Sequence, residues 1–365
     1  MKTFEFGELA ELRKEKYNPL SNKSVPCIEL EHVNQNSGTI NGYVDSSEQK
    51  SIKNIFHKGD ILFAKLRPYL RKYWFAEFNG VCSSEIWVLK PKRVVTAEYL
   101  FHLIQTEEFI RIANVSFGSK MPRADWDFIN HYPLTIIHSL PEQHRIVSVL
   151  SLWDTAIAKQ TQLVEKLTLR KRGLMQQLLT GKKRLKGFER GTFKMLSFDK
   201  IANTVNVKAF QVSKSDYQEM GKTPIVDQGQ MFIAAYSNSD KIFTDIPFIL
   251  FGDHTRIIKW IDFPCVIGAD GVQAIKPKEE MDIKYLYYLL SNTELPNLGY
   301  SRHMSILKEK VFYVSTDINE QKAIAGCLSN ADKEIEIQKQ KLAAMQEQKK
   351  GLMQVLLTGK KRINE

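Results

Sequence analysis

The sequence predicts an α+β fold in which two homologous mixed α/β domains are separated by two long antiparallel coiled-coil helices, related by a pseudo-twofold axis. Three observations support this prediction. A long segment with helical periodicity occurs twice, each copy follows a stretch of short strands and turns, and the two copies hold +6 and +4 of the net charge of +11.

The duplicated segment begins at Glu142 and again at Glu320. At an offset of 178 residues, 21 of 43 positions are identical without a gap. Apolar residues recur in each copy at alternating steps of four and three, which is the period of a coiled-coil seam. The seam positions are Ile146, Leu150, Trp153, Ile157, Gln160, Val164, Leu167, Lys171, Leu174 and Leu178, and then Ile324, Leu328, Ala331, Ile335, Gln338, Leu342, Met345, Lys349, Leu352 and Leu356.

Each seam has two polar positions, and we interpret them as markers of helix-pair register: Gln160, Lys171, Gln338 and Lys349. The seam of one copy would bury itself most simply against the other, and an antiparallel pair would set Gln160 opposite Gln338. The alternative is two unrelated glutamines that point along the surface. A helix of this length would span roughly 55 Å, at about 1.5 Å per residue.

Both copies end in Thr-Gly-Lys-Lys-Arg, where Gly181 and Gly359 suit the left-handed position that follows a helix. The cations after each glycine have two interpretations, which stay open at this point. They either complement the carbonyl end of the helix dipole or contact phosphates.

These patterns predict four regions: a first head at 1–140, a first arm at 141–184, a second head at 185–318 and a second arm at 319–365. In the first head we expect strands at 60–65 and 86–90 and a helix at 97–112. In the second head we expect strands at 248–252, 257–261 and 273–276 and a helix at 284–292. At an offset of 186 residues, Lys90-Pro91-Lys92 matches Lys276-Pro277-Lys278, which indicates that the heads are homologous.

Composition narrows the class of protein. No run of eighteen apolar residues and no signal-peptide pattern is present, so we expect a cytoplasmic protein that does not enter a membrane. The four cysteines form no Cys-x-x-Cys pair, and the histidines show no metal-ligand spacing with them, so we expect reduced thiols and no metal site.

The repeated arm ends, together with Leu140-Pro141-Glu142-Gln143, resemble the specificity subunit of type I restriction-modification systems, and the resemblance covers the whole chain. Three stretches of the second head also resemble the target recognition domains of that family: 227–230, 251–255 and 267–271. One departure is local, because the second arm begins after Asp317-Ile318-Asn319 without the proline that Pro141 supplies in the first.

The resemblance implies a non-catalytic subunit that binds double-stranded DNA. Its two target recognition domains would each read one half of a bipartite, interrupted site, and its helices would set the spacing and dock two methyltransferase subunits. It also implies nuclease/translocase partner subunits. No cofactor would be bound by this chain, since S-adenosylmethionine, ATP and Mg are expected in the partners.

Base edges are read best by Arg, Lys, Asn and Gln, while Ser, Thr, Tyr and Lys position phosphates. We therefore predict DNA contacts in loops that mix these residue types. In the first head they are Lys65, Arg67, Tyr69, Arg71, Ser119, Lys120 and Arg123. In the second head they are Gln228, Gln230, His254, Arg256, Tyr300, Arg302 and His303. The alternative for each basic turn is solvated surface.

Two other classes of function have weaker support. A methyltransferase would need an Asn-Pro-Pro-Tyr or Asp-Pro-Pro-Tyr motif, and a metal-dependent nuclease would need more than the loose pairs Asp60 with Lys65 and Glu85 with Lys90. A coiled-coil protein-interaction scaffold without DNA specificity remains the alternative function. A footprint on duplex DNA separates it from the specificity subunit.

Overall fold

The computed structural model describes residues 1–20, 24–115, 121–268, 270–299 and 301–363. It divides into two compact units. The first unit contains residues 1–161 and 340–365, and the second contains residues 162–339. Each unit combines one head with parts of both long helices, and the α+β class predicted from the sequence is confirmed.

The first head is built from two larger sheets and a two-stranded ribbon. Its strands are β1 (Lys2–Glu5), β2 (Ala10–Leu12), β3 (Lys16–Tyr17), β4 (Pro26–Ile28), β5 (Val44–Asp45), β6 (Lys53–Phe56), β7 (Ile61–Ala64), β8 (Tyr73–Phe75), β9 (Gly80–Cys82), β10 (Ile86–Pro91) and β11 (Pro133–Ile136). Its helices are α1 (Phe6–Leu9), α2 (Ala97–Leu103), α3 (Glu107–Ala113) and α4 (Trp126–Asn130). The sheet orders are β2-β10-β7-β8, β3-β6-β9-β4-β5 and β1-β11.

The second head follows after the first long helix, α5 (Leu140–Leu178). Its elements are β12 (Phe193–Ser197), α6 (Phe198–Ile201), β13 (Ala202–Val205), β14 (Gln211–Val212), β15 (Thr223–Val226), β16 (Ala235–Ser237), β17 (Phe248–Gly252), β18 (Ile258–Ile261), β19 (Val266–Gly268), β20 (Val272–Pro277), α7 (Ile283–Ser291), α8 (Met304–Glu309) and β21 (Val311–Ser315). The second long helix, α9 (Ile318–Leu357), comes last.

The two heads share two of their three sheets. Sheet β13-β20-β17-β18 repeats β2-β10-β7-β8, and ribbon β12-β21 repeats β1-β11. The remaining sheets differ. Sheet β3-β6-β9-β4-β5 has one parallel pair, β4 with β9, whereas sheet β14-β19-β15-β16 has two, β14 with β19 and β15 with β19. The homology of the heads, inferred from short sequence matches, therefore has a structural counterpart.

Most predicted elements are confirmed. Phe248–Gly252 is a strand with the predicted bounds, and the strands predicted at 60–65, 86–90, 257–261 and 273–276 are present with shifts of one or two residues. The single helix predicted at 97–112 is wrong. It is two helices, because the Thr106 hydroxyl accepts a hydrogen bond from the Phe109 amide and caps a new helix.

The predicted seams are confirmed along both long helices, since each of the twenty seam positions is buried or half-buried. Gly181 and Gly359 both have φ 66°, the left-handed conformation predicted for them. The helices end at Leu178 and Leu357, before the arm boundaries expected at 184 and 365.

The helix segments within each unit run antiparallel and are joined by a charged clamp at the unit's end. In the second unit the Arg184 guanidinium donates to both carboxylate oxygens of Glu320, at 2.7 and 2.8 Å. In the first unit Arg362 donates to both oxygens of Glu142 in the same way. The glutamate that begins one helix is therefore held by the arginine that follows the other.

The seam lysines have acidic partners on the facing helix segment. Lys349 donates to Asp154 within the first unit, and Lys171 forms an ion pair with Asp332 within the second. An aromatic residue of the head helix lies beside each pair, His102 in α2 and Tyr288 in α7, whose hydroxyl donates to Asp332 at 2.7 Å. These pairs join facing positions of the antiparallel segments, and polar seam residues of this kind generally favour one register.

The Gln160 to Gln338 contact would join the two units, and it stays a prediction. Within the first unit, Asp154 faces Lys349 and Glu142 faces Arg362. Continued along α5, that register sets positions 343 and 344 opposite Gln160. A direct cross-linking measurement between positions 160 and 338 would test the predicted contact.

The hydrophobic cores explain how the helices hold the heads. In the first unit Tyr99, Leu100 and Phe109 pack with Ile146 of α5 and Leu356 of α9 in one buried cluster. In the second unit the equivalent cluster joins Tyr285 and Leu286 to Leu178, Ile324 and Leu328. Each head therefore shares a continuous apolar core with its helix segments.

No helix among the described residues is long and apolar enough to cross a bilayer.

Replacing His102 with tyrosine, the residue at the equivalent position of the second unit, should make the first unit less sensitive to acid. His102 is 2% exposed, and burial followed by the charge of Lys349 lowers its pKa to about 3. The folded state keeps this ring neutral while the unfolded chain protonates it below about pH 6.5, so stability is lost as pH falls from about 6.5 towards 3. Urea unfolding midpoints at pH 7 and pH 5 measure the effect, and an unchanged pH dependence in His102→Tyr would contradict it.

Candidate nucleic-acid interface

The predicted contact segments of the first head come together beyond the end of β7, an inner strand of its sheet. Residues 65–71 follow β7, and Arg67 and Arg71 both adopt the left-handed conformation, with φ 53° and 52°. The Arg67 amide donates to the Pro122 carbonyl at 2.8 Å, and the Ala124 amide donates to the Lys65 carbonyl at 2.8 Å. Two segments far apart in sequence therefore form one surface, although Ser119 and Lys120 lie outside the described residues.

Side-chain exposure separates the candidates on this surface. Arg67 and Arg123 are exposed, and Tyr69 is 51% exposed, so these three face solvent. Arg71 instead donates to the Gln105 carbonyl at 3.3 Å and pairs with Glu107, while Lys65 is half-buried. Arg71 thus ties the loop to the head, and Arg67 and Tyr69 are the exposed side chains of the loop. Arg123 on the adjoining segment is exposed as well and pairs with Glu85.

The second head uses the same loop, 253–257 after β17, in the same way. Arg256 has φ 62°, and its guanidinium donates to the Leu295 carbonyl at 3.1 Å. Gln228 holds the loop from the other side, since its side-chain oxygen accepts from the His254 amide at 3.1 Å and its carbonyl accepts from the Thr255 hydroxyl at 2.7 Å. Gln230 is exposed beyond this contact.

The three stretches of the second head that carry the family resemblance meet at this loop. The Asp253 amide donates to the Gly271 carbonyl at 2.6 Å. Gly271 has φ 68°, and a Cβ there would come within 2.7 Å of the Gln228 carboxamide and the His254 ring. Only glycine therefore permits this close approach without displacing those side chains.

His303 is fully buried, at 0% exposure, which the sequence pattern did not indicate. Its backbone amide donates to the Asp253 carbonyl at 2.9 Å, and its Nδ1 lies 2.9 Å from the same oxygen. In this position His303 braces the loop and presents no edge to a partner. Tyr300 lies outside the described residues.

Arg302 is exposed and lines a cleft of about 260 Å³ in the second head. Asn206, Lys208, Gln211 and Gln273 line the same cleft, together with Asp253 and Asp270. The first four are the side-chain types that read base edges and contact phosphates. The prediction from sequence missed all four, because they come from separate segments that only the fold brings together.

Two lysines that the prediction also missed hold loops of the two heads through hydrogen bonds to their backbone carbonyls. Lys259 is 5% exposed and donates to the carbonyls of Asp227 and Met231 at 2.7 and 2.6 Å. Its pKa is lowered by burial, against the opposing effect of Asp227. In the first head, Lys72 donates to the Leu30 carbonyl in the equivalent loop. Neither lysine differs from a surface lysine in its local sequence.

The residues considered for nuclease chemistry are engaged elsewhere. The Asp60 carboxylate accepts from Arg13 at 2.8 and 3.0 Å and from the His57 amide at 2.7 Å. Glu85 pairs with Arg123 at 3.1 Å. In the described part of the chain, no group of three or more His, Cys, Asp or Glu side chains is placed to hold a metal ion.

The family model and the relatives that match this chain all describe type I restriction specificity subunits. The model of the type I restriction modification DNA specificity domain matches residues 1–169. The EcoDI type I restriction enzyme specificity subunit of Escherichia coli is 28% identical over 145 residues, which span 39% of this chain and 32% of that protein. The MjaVIII specificity subunit of Methanocaldococcus jannaschii is 26% identical over 323 residues, 78% of this chain and 75% of that protein.

A solved structure of the type I restriction-modification S subunit from M. genitalium has the same fold. It matches with a TM-score of 0.61 at 15% identity, over 98% of this chain and 96% of that one. The fold is therefore shared across the whole described chain.

Proposed function

Because the chain belongs to the family of type I restriction-modification specificity subunits, we propose that it binds double-stranded DNA and reads a bipartite, interrupted site. Each head would recognise one half of the site. The chain itself would be non-catalytic, and the methyltransferase and nuclease/translocase activities would belong to partner subunits.

The observation that carries this proposal is that two heads with the same four-stranded sheet and ribbon present different side chains on the corresponding loops. The loop after β7 exposes Arg67 and Tyr69, whereas the loops after β15 and β17 expose Gln230 and Thr255. A shared scaffold with different exposed donors and acceptors suits two half-sites of unlike sequence.

The long helices would set the spacing between half-sites and dock two methyltransferase subunits. The helices expose large apolar side chains, with Leu152 at 70%, Leu169 at 65% and Ile337 at 60%. Apolar residues left in solvent on helices whose seams are filled support a protein-binding role for the outer faces. S-adenosylmethionine, ATP and Mg would be bound by the partners.

The test uses the chain assembled with its methyltransferase partner and a duplex library in which all positions are randomised. After reaction with S-adenosylmethionine, sequencing of the methylated duplexes should yield two conserved segments separated by a gap without preference. A single segment, or none, would contradict the bipartite proposal. Binding to the partner without any sequence enrichment would favour the protein-interaction scaffold.

Replacing Lys182, Lys183, Lys360 and Lys361 with glutamine should reduce the salt dependence of DNA binding without altering the recognised sequence. These lysines are exposed, whereas the arginine after each pair is clamped to a glutamate. Removing one cation that touches a phosphate lowers the slope of log K against log salt by about 0.9. Binding isotherms at several salt concentrations measure the slope.

The same variant separates the two interpretations of these cations. If the lysines only complement the helix ends, the salt slope stays unchanged and the stability falls by about 0.3–1 kcal/mol for each lysine. A changed target sequence would contradict the division between helices that attract DNA and heads that read it.

A further inference from the structure

A hairpin in the first head carries amide side chains that the sequence pattern did not single out. It spans Val33–Ile40, whose ends form an antiparallel bridge, and its tip contains Asn34, Gln35, Asn36 and Ser37. Backbone hydrogen bonds close it, from the Asn34 amide to the Thr39 carbonyl at 3.0 Å and from the Asn41 amide to the His32 carbonyl at 2.9 Å. The tip is therefore an ordered turn.

The hairpin is fastened to the loop that exposes Arg67 and Tyr69. Gln35 forms a bridge with Lys72, and the Asn36 amide donates to the Arg71 carbonyl at 2.9 Å. On its other side Gly38, with φ 70°, lies against the Phe101 ring. The hairpin and the loop thus form one rigid surface within the first head.

The amides at the tip differ in what they contact. The Asn34 carboxamide donates to the Thr39 hydroxyl at 3.0 Å, so its position is structural. Gln35 and Asn36 are exposed, and neither carboxamide has a hydrogen-bond partner within the described part of the chain. Each offers one acceptor and two donors from a fixed backbone, at a small cost in backbone entropy on binding.

The second head repeats the arrangement with a different sequence. Its loop at 227–231 follows β15, as the hairpin follows β4, and each of these strands pairs in parallel with a neighbouring strand, β19 and β9 respectively. Lys259 holds this loop through its carbonyls, as Lys72 does in the first head. The Thr255 hydroxyl joins it to the neighbouring loop, and Gln230 is exposed there. Each of the two heads therefore has an exposed carboxamide on a loop that a lysine holds through its backbone carbonyls.

We propose that Gln35 and Asn36 determine the specificity of the first head by reading an A·T pair. A carboxamide pairs with adenine in the major groove through two hydrogen bonds, one to N7 and one from the N6 amino group. Arg67 and Tyr69 on the adjoining loop position the phosphates beside that base pair. The inference rests on the proposed function, since it assigns residues within the DNA-reading surface of the first head.

The variants are Gln35→Ala and Asn36→Gly in the full chain, singly and together. Glycine is chosen at position 36 because Asn36 has φ 55°, where alanine would be strained. Both side chains are exposed, so the melting temperature should remain that of the parent chain. Gln230→Ala in the second head is the reciprocal control.

The measurement is the duplex library methylated by the assembled complex. We expect the double variant to lose preference for A·T at one or two positions of one half-site, by roughly 5- to 150-fold per position, as for loss of one bidentate pair. The other half-site should be unchanged, and Gln230→Ala should alter that other half-site alone. An unaltered consensus in a folded, active double variant would overturn the inference. A parent chain that enriches no sequence would instead overturn the proposed function.

Discussion

Replacing Arg184 with methionine should destabilise the second unit by about 3–5 kcal/mol, the usual cost of leaving a buried charge without its partner. Glu320 has 0% side-chain exposure, and Arg184 donates to both of its oxygens. The same guanidinium donates to the Gly191 carbonyl at 2.7 Å and lies over the Phe193 ring. Methionine keeps the apolar contact and removes every hydrogen bond.

Thermal unfolding of the full chain measures this destabilisation, and hydrogen exchange in peptides from 162–339 locates it. A unit of this size should melt on the order of 10 °C lower. Adding Glu320→Gln should recover part of the stability, because the amide is neutral and still accepts from Ser315. Arg362→Met is the matched variant in the first unit. The destabilisation caused by Arg362→Met should be smaller. The Arg362 side chain is 54% exposed, so solvent already weakens its ion pair with Glu142.

The identities shared by the two arms now have physical reasons. The glutamate at the start of each arm accepts hydrogen bonds from the arginine at the end of the other arm. The seam lysine of each arm forms an ion pair with the aspartate of the other. An alignment of one half of the chain with the other therefore detected contacts, because a pseudo-twofold scaffold must make each contact twice. The Lys-Lys pairs are repeated as well but remain exposed, which leaves them available for another partner.

The fold was predictable where periodicity or a strong local signal determines the structure. Seam burial, the left-handed glycines and the strand at 248–252 all follow from such patterns. The break between α2 and α3 was missed, because apolar residues continue through it while one threonine hydroxyl caps the second helix. The sheet orders depend on contacts between residues far apart, which no local pattern contains.

The candidate site was predictable as a set of residue types. Charge alone did not show that Arg71 and Arg256 are bound to backbone carbonyls, nor that His303 is buried. The sequence also did not single out Gln35 and Asn36, which lie in what looks like an ordinary solvated turn. Only their backbone contacts with Lys72 and Arg71 place them beside the candidate DNA-binding loop. Exposure and contacts, rather than composition, distinguish the side chains that face a partner from those that brace a loop.

Replacing Gln321 with leucine should cost about 3 kcal/mol or more and loosen the attachment of the second head to its helices. The carboxamide of Gln321, 1% exposed, accepts from the Asp282 amide at 2.8 Å. It also donates to the carbonyls of Glu280 and Ser315 at 3.2 and 2.9 Å. Each buried backbone group left without a partner costs about 1–3 kcal/mol, and Asp282 is the residue that caps α7.

The chain supplies its own replicate and control for this prediction. Gln143 makes the equivalent three contacts in the first unit, with Thr96, Val94 and Ile137, so Gln143→Leu should destabilise that unit by a similar amount. Gln176 is exposed on α5, and Gln176→Leu should stay within about 0.5 kcal/mol of the parent. Faster hydrogen exchange at 282–291 would locate the effect of Gln321→Leu at the start of α7. If that variant were as stable as Gln176→Leu, the carboxamide would not be what joins head to helix, and the shared apolar core would have to be sufficient alone.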